Sequence, residues 1–549
     1  MKSILSKIVP PRKIFSFFNL LPWIWLVAAY CITFGFLALH GRAYIDSDMA
    51  SEMVLADLLN QEGGILSTNW GYSTELRVVY LQILYRIALL IFPNNWYAAR
   101  VLGQAVLMLL LLFSYFYAAR GIGLKNSGVW GAAALACPFG IWYFWYGPFG
   151  GFYIPHMILF LLSFGLAVRI ALENRFSVKV LHLILLGVVS FLNGLGSVKG
   201  IMALYLPMAA AAVMLILFSL HQQPDRVPKT GLRYLVVSLY TLIFAAIGYL
   251  INSKILAAKY DFAGHNDRIW ENLDLVQLIN TWCDFLSLFG FQSSGTALID
   301  MKVELFSIFG VLGALSIVIV LFIAISIYVL VLRSKKLPPE FLMVFFTFVS
   351  ICLVQGAVFA FTGGSDIPNA SYWLTPVPLV FMVLQTAWET TSFRIPHARE
   401  GLAVIFMVSI IGVSLSSVHS YFANPPRAVP KLESVADWLT ENGYTNGYAS
   451  FWNCNVMTEW SSGQLDMRSV NEYTLDVTEP HSWLERLDHA TPPEGKVFLL
   501  VSAQELWGAH KESLRNDYNV YWDENDYLVM AFDNYDTMVS AIESAHADG

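Results

Sequence analysis

Charge is scarce in this 549-residue chain: Asp, Glu, Lys and Arg together make up 13% of it, about half the share usual in soluble domains. A chain so poor in charge and 56% hydrophobic is excluded from the soluble enzymes, the nucleic-acid binders and the disordered scaffolds. Cysteine is also sparse. Cys31, Cys137 and Cys352 lie in apolar runs, and Cys283 and Cys454 lie outside them. That scatter is neither a disulfide framework nor a metal-binding spacing, and at most Cys283 pairs with Cys454. No Walker loop, HExxH, dinucleotide fingerprint or nucleophile elbow stands in a fitting context. No internal repeat or low-complexity stretch is present.

What is present is a series of apolar runs of roughly 20 residues, each long enough to cross a ~30 Å hydrocarbon core. Eleven are expected: 20–39, 96–119, 129–146, 153–168, 180–195, 200–220, 234–251, 303–332, 341–361, 372–387 and 402–418. The fold class is a polytopic α-helical membrane protein with about 11 transmembrane helices. The first run is too long for a signal-peptide core and reads as a retained anchor.

The segment Leu76 to Phe92, LRVVYLQILYRIALLIF, nearly spans but carries Arg77 and Arg86. Placed in the interface as a juxtamembrane amphipathic helix, it leaves 17 Lys and Arg in the cytoplasmic loops, against nine in the outside loops of the membrane body. Placed across the membrane, it inverts every later loop and destroys the bias that positive-inside topology demands. The expectation is therefore a cytoplasmic N-terminus and an extracytoplasmic C-terminal region.

From Tyr421 onward the chain holds 7 Lys and Arg against 21 Asp and Glu, so an acidic, water-soluble tail follows a basic membrane body. Such a tail is repelled by nucleic acid, which is not an expected partner. The expected domains are a membrane part, 1–419, with outer loops at 41–95 and 252–302, and a soluble α/β domain, 420–549. Strand-like runs begin at Lys496 (KVFLLVS), Asn519 (NVYW) and Tyr527 (YLVMAF). Helical patterns cover 431–442, 481–489 and 537–545.

The first outer loop opens RAYIDSDMASEMVLADLL. One reading makes Ser47 or Asp48 the N-cap of a helix with Ser51 and Glu52 in its first turns. Capping does not call for a second aspartate, however. Asp46 and Asp48 at a membrane–water boundary suit a base toward an acceptor hydroxyl, or a divalent cation site.

The segment DSDMASEMVLADLL, then NWGYSTELRVVYLQILYRIALLIFP and WYAARVLGQ, resembles the GT-C glycosyltransferases. It is similar in particular to the bacterial relatives of protein O-mannosyltransferases and of the aminoarabinose transferase for lipid A. GYASFWNCNVMTEWSSGQLDM in the tail is similar to the outer domain of some of them. Asp48 falls at the family's acidic position and Arg100 at the arginine of its second span. The family's usual Asp-Glu pair is here Asp48-Met49, so either Asp46 or Asp48 fits the base.

The resemblance implies transfer of a sugar from a polyprenyl-phosphate donor to a glycan, lipid or protein acceptor, at the outer face of a bacterial cytoplasmic membrane, with inversion. A leaving phosphate then needs fixed cations. Lys199, in NGLGSVKG between two spans, Arg77, Arg100, Lys259 and Arg268 are the candidates. Arg86 and Lys254 lie nearby, and a lysine near the apolar core otherwise snorkels to the surface. Glu52, Tyr72, Glu75, His156, His265 and Asp366 are candidate substrate-lining residues. The aromatic run IWYFWYGPFGGFYIPH suits sugar stacking or, equally, an interface belt. A transporter of lipid-linked sugars, or a polyprenyl-dependent polymerase or ligase, remains the alternative.

Overall fold

The structure is a computed structural model of the whole chain, and it describes residues 11–73, 76–124, 127–173, 175–224, 227–262, 275–291, 307–361, 370–392, 395–423, 430–479, 481–511, 513–514, 520–524 and 527–546. These fall into two compact units. One comprises Met1–Gly35, Gln104–Asn252 and Asp267–Pro426, and the other Phe36–Gly103, Ser253–Asn266 and Arg427–Gly549.

The protein is a polytopic helical membrane protein. Among the described residues nine helices have the length and apolarity of membrane spans: Phe18–His40, Trp96–Gly121, Ile154–Leu172, Phe176–Gly196, Val198–Gln222, Lys229–Leu256, Ile308–Lys336, Pro339–Phe361 and Ala398–Ser420. Each coincides with a run read from the sequence. The other two expected runs form shorter elements. The run 129–146 breaks after the helix Ser127–Leu135, because Pro138 cannot donate to a helical ladder. It resumes as Ile141–Phe144 and a π-type turn, Trp145–Phe149, that contains Pro148. The run 372–387 becomes a 3₁₀ turn, Ala370–Leu374, and a 14-residue helix, Val377–Thr390, about 21 Å long. Leu81–Ile91 is 11 residues long, about 16 Å, too short to span. That length fits the interfacial reading of this segment.

In the first unit, close packing comes from small residues, as is usual where lipid is as apolar as the helix surface. A Cβ on Gly194 would stand 1.9 Å from the Ala245 carbonyl oxygen, and one on Gly248 would stand 2.3 Å from that of Phe191. The helices Phe176–Gly196 and Lys229–Ile251 therefore meet backbone to backbone.

In the second unit a five-stranded sheet has the order β3-β2-β5-β7-β6, built from β2 (Asn446–Ser450), β3 (Asp466–Val470), β5 (Val497–Ser502), β6 (Val520–Glu524) and β7 (Tyr527–Phe532). β2 runs parallel to β3 and β5, and β7 antiparallel to β5 and β6. The core holds Tyr448, Leu499, Val501, Leu528, Met530, Met538 and Ile542. The expected strands at 496, 519 and 527 are present, as are helices Pro430–Glu441 and Tyr535–His546. The helix expected over 481–489 is instead a two-residue strand, β4 (Glu485–Arg486), and a 3₁₀ turn, Leu487–Ala490. β4 pairs antiparallel with β1 (Trp70–Gly71) in the first loop. All five cysteines are free thiols, Cys283 and Cys454 included.

Candidate functional site

In the second unit the acidic segment begins the helix Ser47–Glu62. Asp46, and neither Ser47 nor Asp48, is its N-cap. The backbone of Asp46 is extended (φ −98°, ψ 171°), and its carboxylate accepts from the Met49 amide at 2.9 Å. Asp46 is buried, and Asp48 in the first helical turn is partly exposed. The two aspartates therefore sit differently although only one residue separates them. A first-turn carboxylate is also favoured by the positive end of the helix dipole.

The helix Phe451–Trp460 packs against this start. The Ser47 hydroxyl donates to the Phe451 carbonyl, the Trp460 indole N–H donates to the Arg42 carbonyl at 3.2 Å, and Arg42 donates to the Trp460 carbonyl at 2.8 Å. Arg100 lies beneath, 1% exposed. Its guanidinium grips both carboxylate oxygens of Glu459, donates to the Met49 carbonyl at 2.7 Å, and lies over the Tyr85 ring at 5.1 Å. Asp46 is close enough to Arg100 to interact with it electrostatically. Burial raises the Glu459 carboxyl above its ordinary value, and the Arg100 charge opposes that rise. The expected phosphate ligand Arg100 is thus engaged from several sides inside the fold.

Arg77 pairs with Glu52 at 3.2 Å, and its guanidinium lies 4.6 Å from the Tyr80 ring centre. Burial raises the Glu52 carboxyl, with Arg77 and Arg100 pulling the other way. Arg86 donates to Asn60 Oδ1 at 3.1 Å and to the Gly64 carbonyl, which fastens Leu81–Ile91 to the end of the Ser47–Glu62 helix. Tyr72 joins β1 to a second segment of the same unit. Its amide donates to the Asp261 carbonyl at 2.9 Å, and its hydroxyl accepts from the Ser67 amide at 3.0 Å. Lys259 is exposed. Glu75, His265, Arg268 and Asp366 lie outside the described residues.

In the first unit Lys199 sits at the start of the span Val198–Gln222. The NGLGSVKG segment turns without a loop: Phe176–Gly196 ends, Ser197 caps the next turn by accepting from the Lys199 amide at 3.0 Å, and the following helix begins. The Lys199 ammonium lies 5.2 Å from the Tyr153 ring centre and 5.0 Å from that of Tyr372, and 3.5 Å from the Tyr153 hydroxyl. Tyr153 has φ +62°, which is uncommon for a bulky residue and is maintained only where the surroundings over-determine it. Here it precedes Pro155 in the opening turn of Ile154–Leu172.

His156 is a buried, hydrogen-bonded group. Its Nδ1 meets Asn193 Oδ1 at 2.8 Å, and Asn193 in turn donates to Tyr205 at 3.1 Å. Aromatic residues of the 141–156 run stack on one another, for example Trp142 on Tyr146.

Among the described residues, no group of three or more His, Cys, Asp or Glu side chains is placed to hold a metal ion. Sequence reasoning did not single out Glu459 or Tyr372, and it read Tyr153 only as a member of the aromatic run 141–156. Glu459 stood inside the tail segment singled out by resemblance, but nothing local linked it to an arginine 359 positions away.

No protein-family model matches the chain, and no curated protein matches it. Solved structures do. The crystal structure of ArnT from Cupriavidus metallidurans bound to undecaprenyl phosphate is similar with a TM-score of 0.58 and 10% identity, over 92% of this chain and 97% of that one. The same protein in the apo state matches with a TM-score of 0.57 and 11% identity, over 94% and 98%. This chain has the fold of ArnT and, with it, of the GT-C glycosyltransferases.

Proposed function

We propose that this protein transfers a sugar from a polyprenyl-phosphate donor to an acceptor hydroxyl on a glycan, lipid or protein. The observation that carries the reading is the likeness to ArnT over nearly the whole of both chains, in a structure where ArnT holds undecaprenyl phosphate. A donor with such a tail cannot leave the bilayer, which accounts for a catalytic body made mostly of spans.

In this reading Asp48 is the general base. It stands partly exposed in the first turn of Ser47–Glu62, whereas buried Asp46 accepts the Met49 amide and shapes the turn. The acceptor oxygen loses its proton to Asp48 as it attacks the anomeric carbon. The glycosidic C–O bond to phosphate breaks, and polyprenyl phosphate leaves with the electron pair. One displacement inverts the anomeric centre. A departing phosphate needs a fixed cation; in the first unit Lys199, beside two tyrosine rings, is the candidate for that role, and in the second unit Arg77 tunes Glu52 and Arg100 acts as a positioning residue. The positive-inside bias supports a cytoplasmic N-terminus and an extracytoplasmic C-terminal domain, in a bacterial cytoplasmic membrane.

The test is turnover by purified protein in liposomes with radiolabelled polyprenyl-phosphate sugars, for wild type, Asp46→Asn, Asp48→Asn and Lys199→Ala, each with and without chelator. Asp48→Asn is expected to abolish transfer, at a cost of 10²-fold or more, with the fold intact; Asp46→Asn loses less. Chelator sensitivity identifies a metal requirement. Movement of intact carrier across the bilayer, with no polyprenyl phosphate released, replaces the transferase by a transporter.

A further inference from the structure

The second unit contains a cavity of about 160 Å³ that no part of the transfer chemistry uses. Its walls come from the face of the Ser47–Glu62 helix that carries Val54, Asp57, Leu58 and Gln61, the first turn at Trp96, the helix Phe451–Trp460, β3 and the β4 turn. The lining mixes apolar side chains, Val54, Leu58 and Trp96 among them, with Asp57, Gln61, Asp466 and His489.

Size and lining together restrict the ligand. An apolar cavity of about 150 Å³ holds a six-membered ring, and this one has comparable volume with a mixed polar and apolar lining. The charges at Asp466 and Glu485 are compensated from within. His489 Nε2 meets Asp466 Oδ1 at 2.9 Å, and its Nδ1 meets Glu485 Oε1 at 2.8 Å. Arg486 also lines the cavity and is held by Asp488 through two contacts of 3.0 and 2.7 Å. A cation gains little where an imidazole and a guanidinium already face the carboxylates, and a free anion meets three carboxyl groups. A neutral ring with hydroxyls on its rim and C–H groups on its face matches this mixed lining. Asp57, which accepts from Gln61 Nε2 at 2.6 Å, and the amide of Gln61 present an acceptor and a donor side by side, as vicinal hydroxyls require.

We infer that this cavity is a binding site for one neutral pyranose ring, in a place distinct from the Asp48 turn. Assigning that ring to the acceptor glycan rests on the transferase reading; the binding itself does not.

The experiment is saturation-transfer NMR on the purified full-length protein in a sugar-free detergent, with the methyl glycosides of glucose, galactose, mannose and N-acetylglucosamine as probes. Wild type is expected to transfer saturation to at least one glycoside. Gln61→Trp, at the exposed rim, fills the cavity and abolishes the signal. Asp57→Asn keeps the volume and weakens affinity by roughly three- to tenfold, the worth of one hydrogen bond. No transfer to any of the four probes overturns the inference, as does an undiminished signal in Gln61→Trp with a wild-type melting curve. Sugar turnover without glycoside binding removes this site and leaves the transferase standing, and glycoside binding by a protein inactive in transfer does the reverse.

Discussion

Removing Glu459 tests the claim that Arg100 acts through the fold. Both side chains are essentially inaccessible, 1% and 0% exposed, so Glu459→Met leaves a guanidinium buried without its carboxylate. Breaking a buried pair on one side costs about 3–5 kcal/mol. Arg100 keeps its contacts with the Met49 carbonyl and the Tyr85 hydroxyl, which places the expected loss near 3 kcal/mol. The reverse change, Arg100→Met, strands Glu459 and also deprives the Met49 carbonyl of a donor, so it costs at least as much. In the double variant the two charges vanish together. The Met49 carbonyl loses only its second donor, since it keeps the helical bond from the Met53 amide, so the loss falls well below the sum of the singles.

The assay is native-state proteolysis of the purified protein in detergent, with fragments assigned to the Ser47–Glu62 helix and to the C-terminal domain. Where opening is fast relative to cleavage, about 3 kcal/mol raises the cleavage rate on the order of a hundredfold. On the transferase reading, activity falls most in Arg100→Met, because the Met49 carbonyl gripped by Arg100 lies in the turn that carries Asp48, and less in Glu459→Met, which leaves that grip in place. Single variants that cleave within about threefold of wild type, or a double variant equal to the sum of the singles, refute the reasoning.

Three further outcomes are expected. Gly71→Ala places a Cβ 1.8 Å from the Ser482 carbonyl oxygen, a backbone atom that cannot rotate away, so β1 separates from β4 at a cost of about 1–3 kcal/mol; faster cleavage within 66–73, with the sheet still protected, reads this out. His489 gives a pH signature: burial alone lowers its pKa, but Asp466 and Glu485 raise it above the ordinary 6.5. Its stabilisation is therefore fully present below pH 6.5 and lost as pH rises through the higher folded value, so the wild-type melting temperature falls over that alkaline limb and the fall is absent in His489→Gln. Tyr153→Leu removes one ring from the Lys199 ammonium, worth about 0.5–2 kcal/mol, and is expected to raise KM for the lipid donor several-fold; an unchanged KM separates Tyr153 from that cation.

Much of the architecture is decided by run length alone. Among the described residues nine spans fall where apolar runs of sufficient length occur, because every backbone group inside lipid must be satisfied within its own helix. β5 and β7, with VFLLVS and YLVMAF, are continuous apolar strands bounded by polar residues and were equally legible. β2 and β3 were not: NGYAS and DMRSV carry little β-branched content, and they become strands by pairing in register with each other and, for β2, with Phe498 to Leu500. The 129–146 run reads as a span by hydropathy, yet Pro138 and the turn at Trp145–Phe149 break its ladder.

The candidate site divides in the same way. The presence of Asp46, Asp48 and Lys199 at the ends of apolar runs is a property of the sequence, since burying such groups in hydrocarbon is costly. Which aspartate caps and which stands partly exposed depends on one pair of backbone angles at Asp46. Local composition cannot distinguish two residues of the same type placed two apart. The pairing of Arg100 with Glu459, the tyrosines around Lys199 and the His489 bridge between β3 and the β4 turn were decided only by the tertiary structure. Each joins groups remote in sequence, and a charge taken out of water selects whichever partner the packing brings within reach.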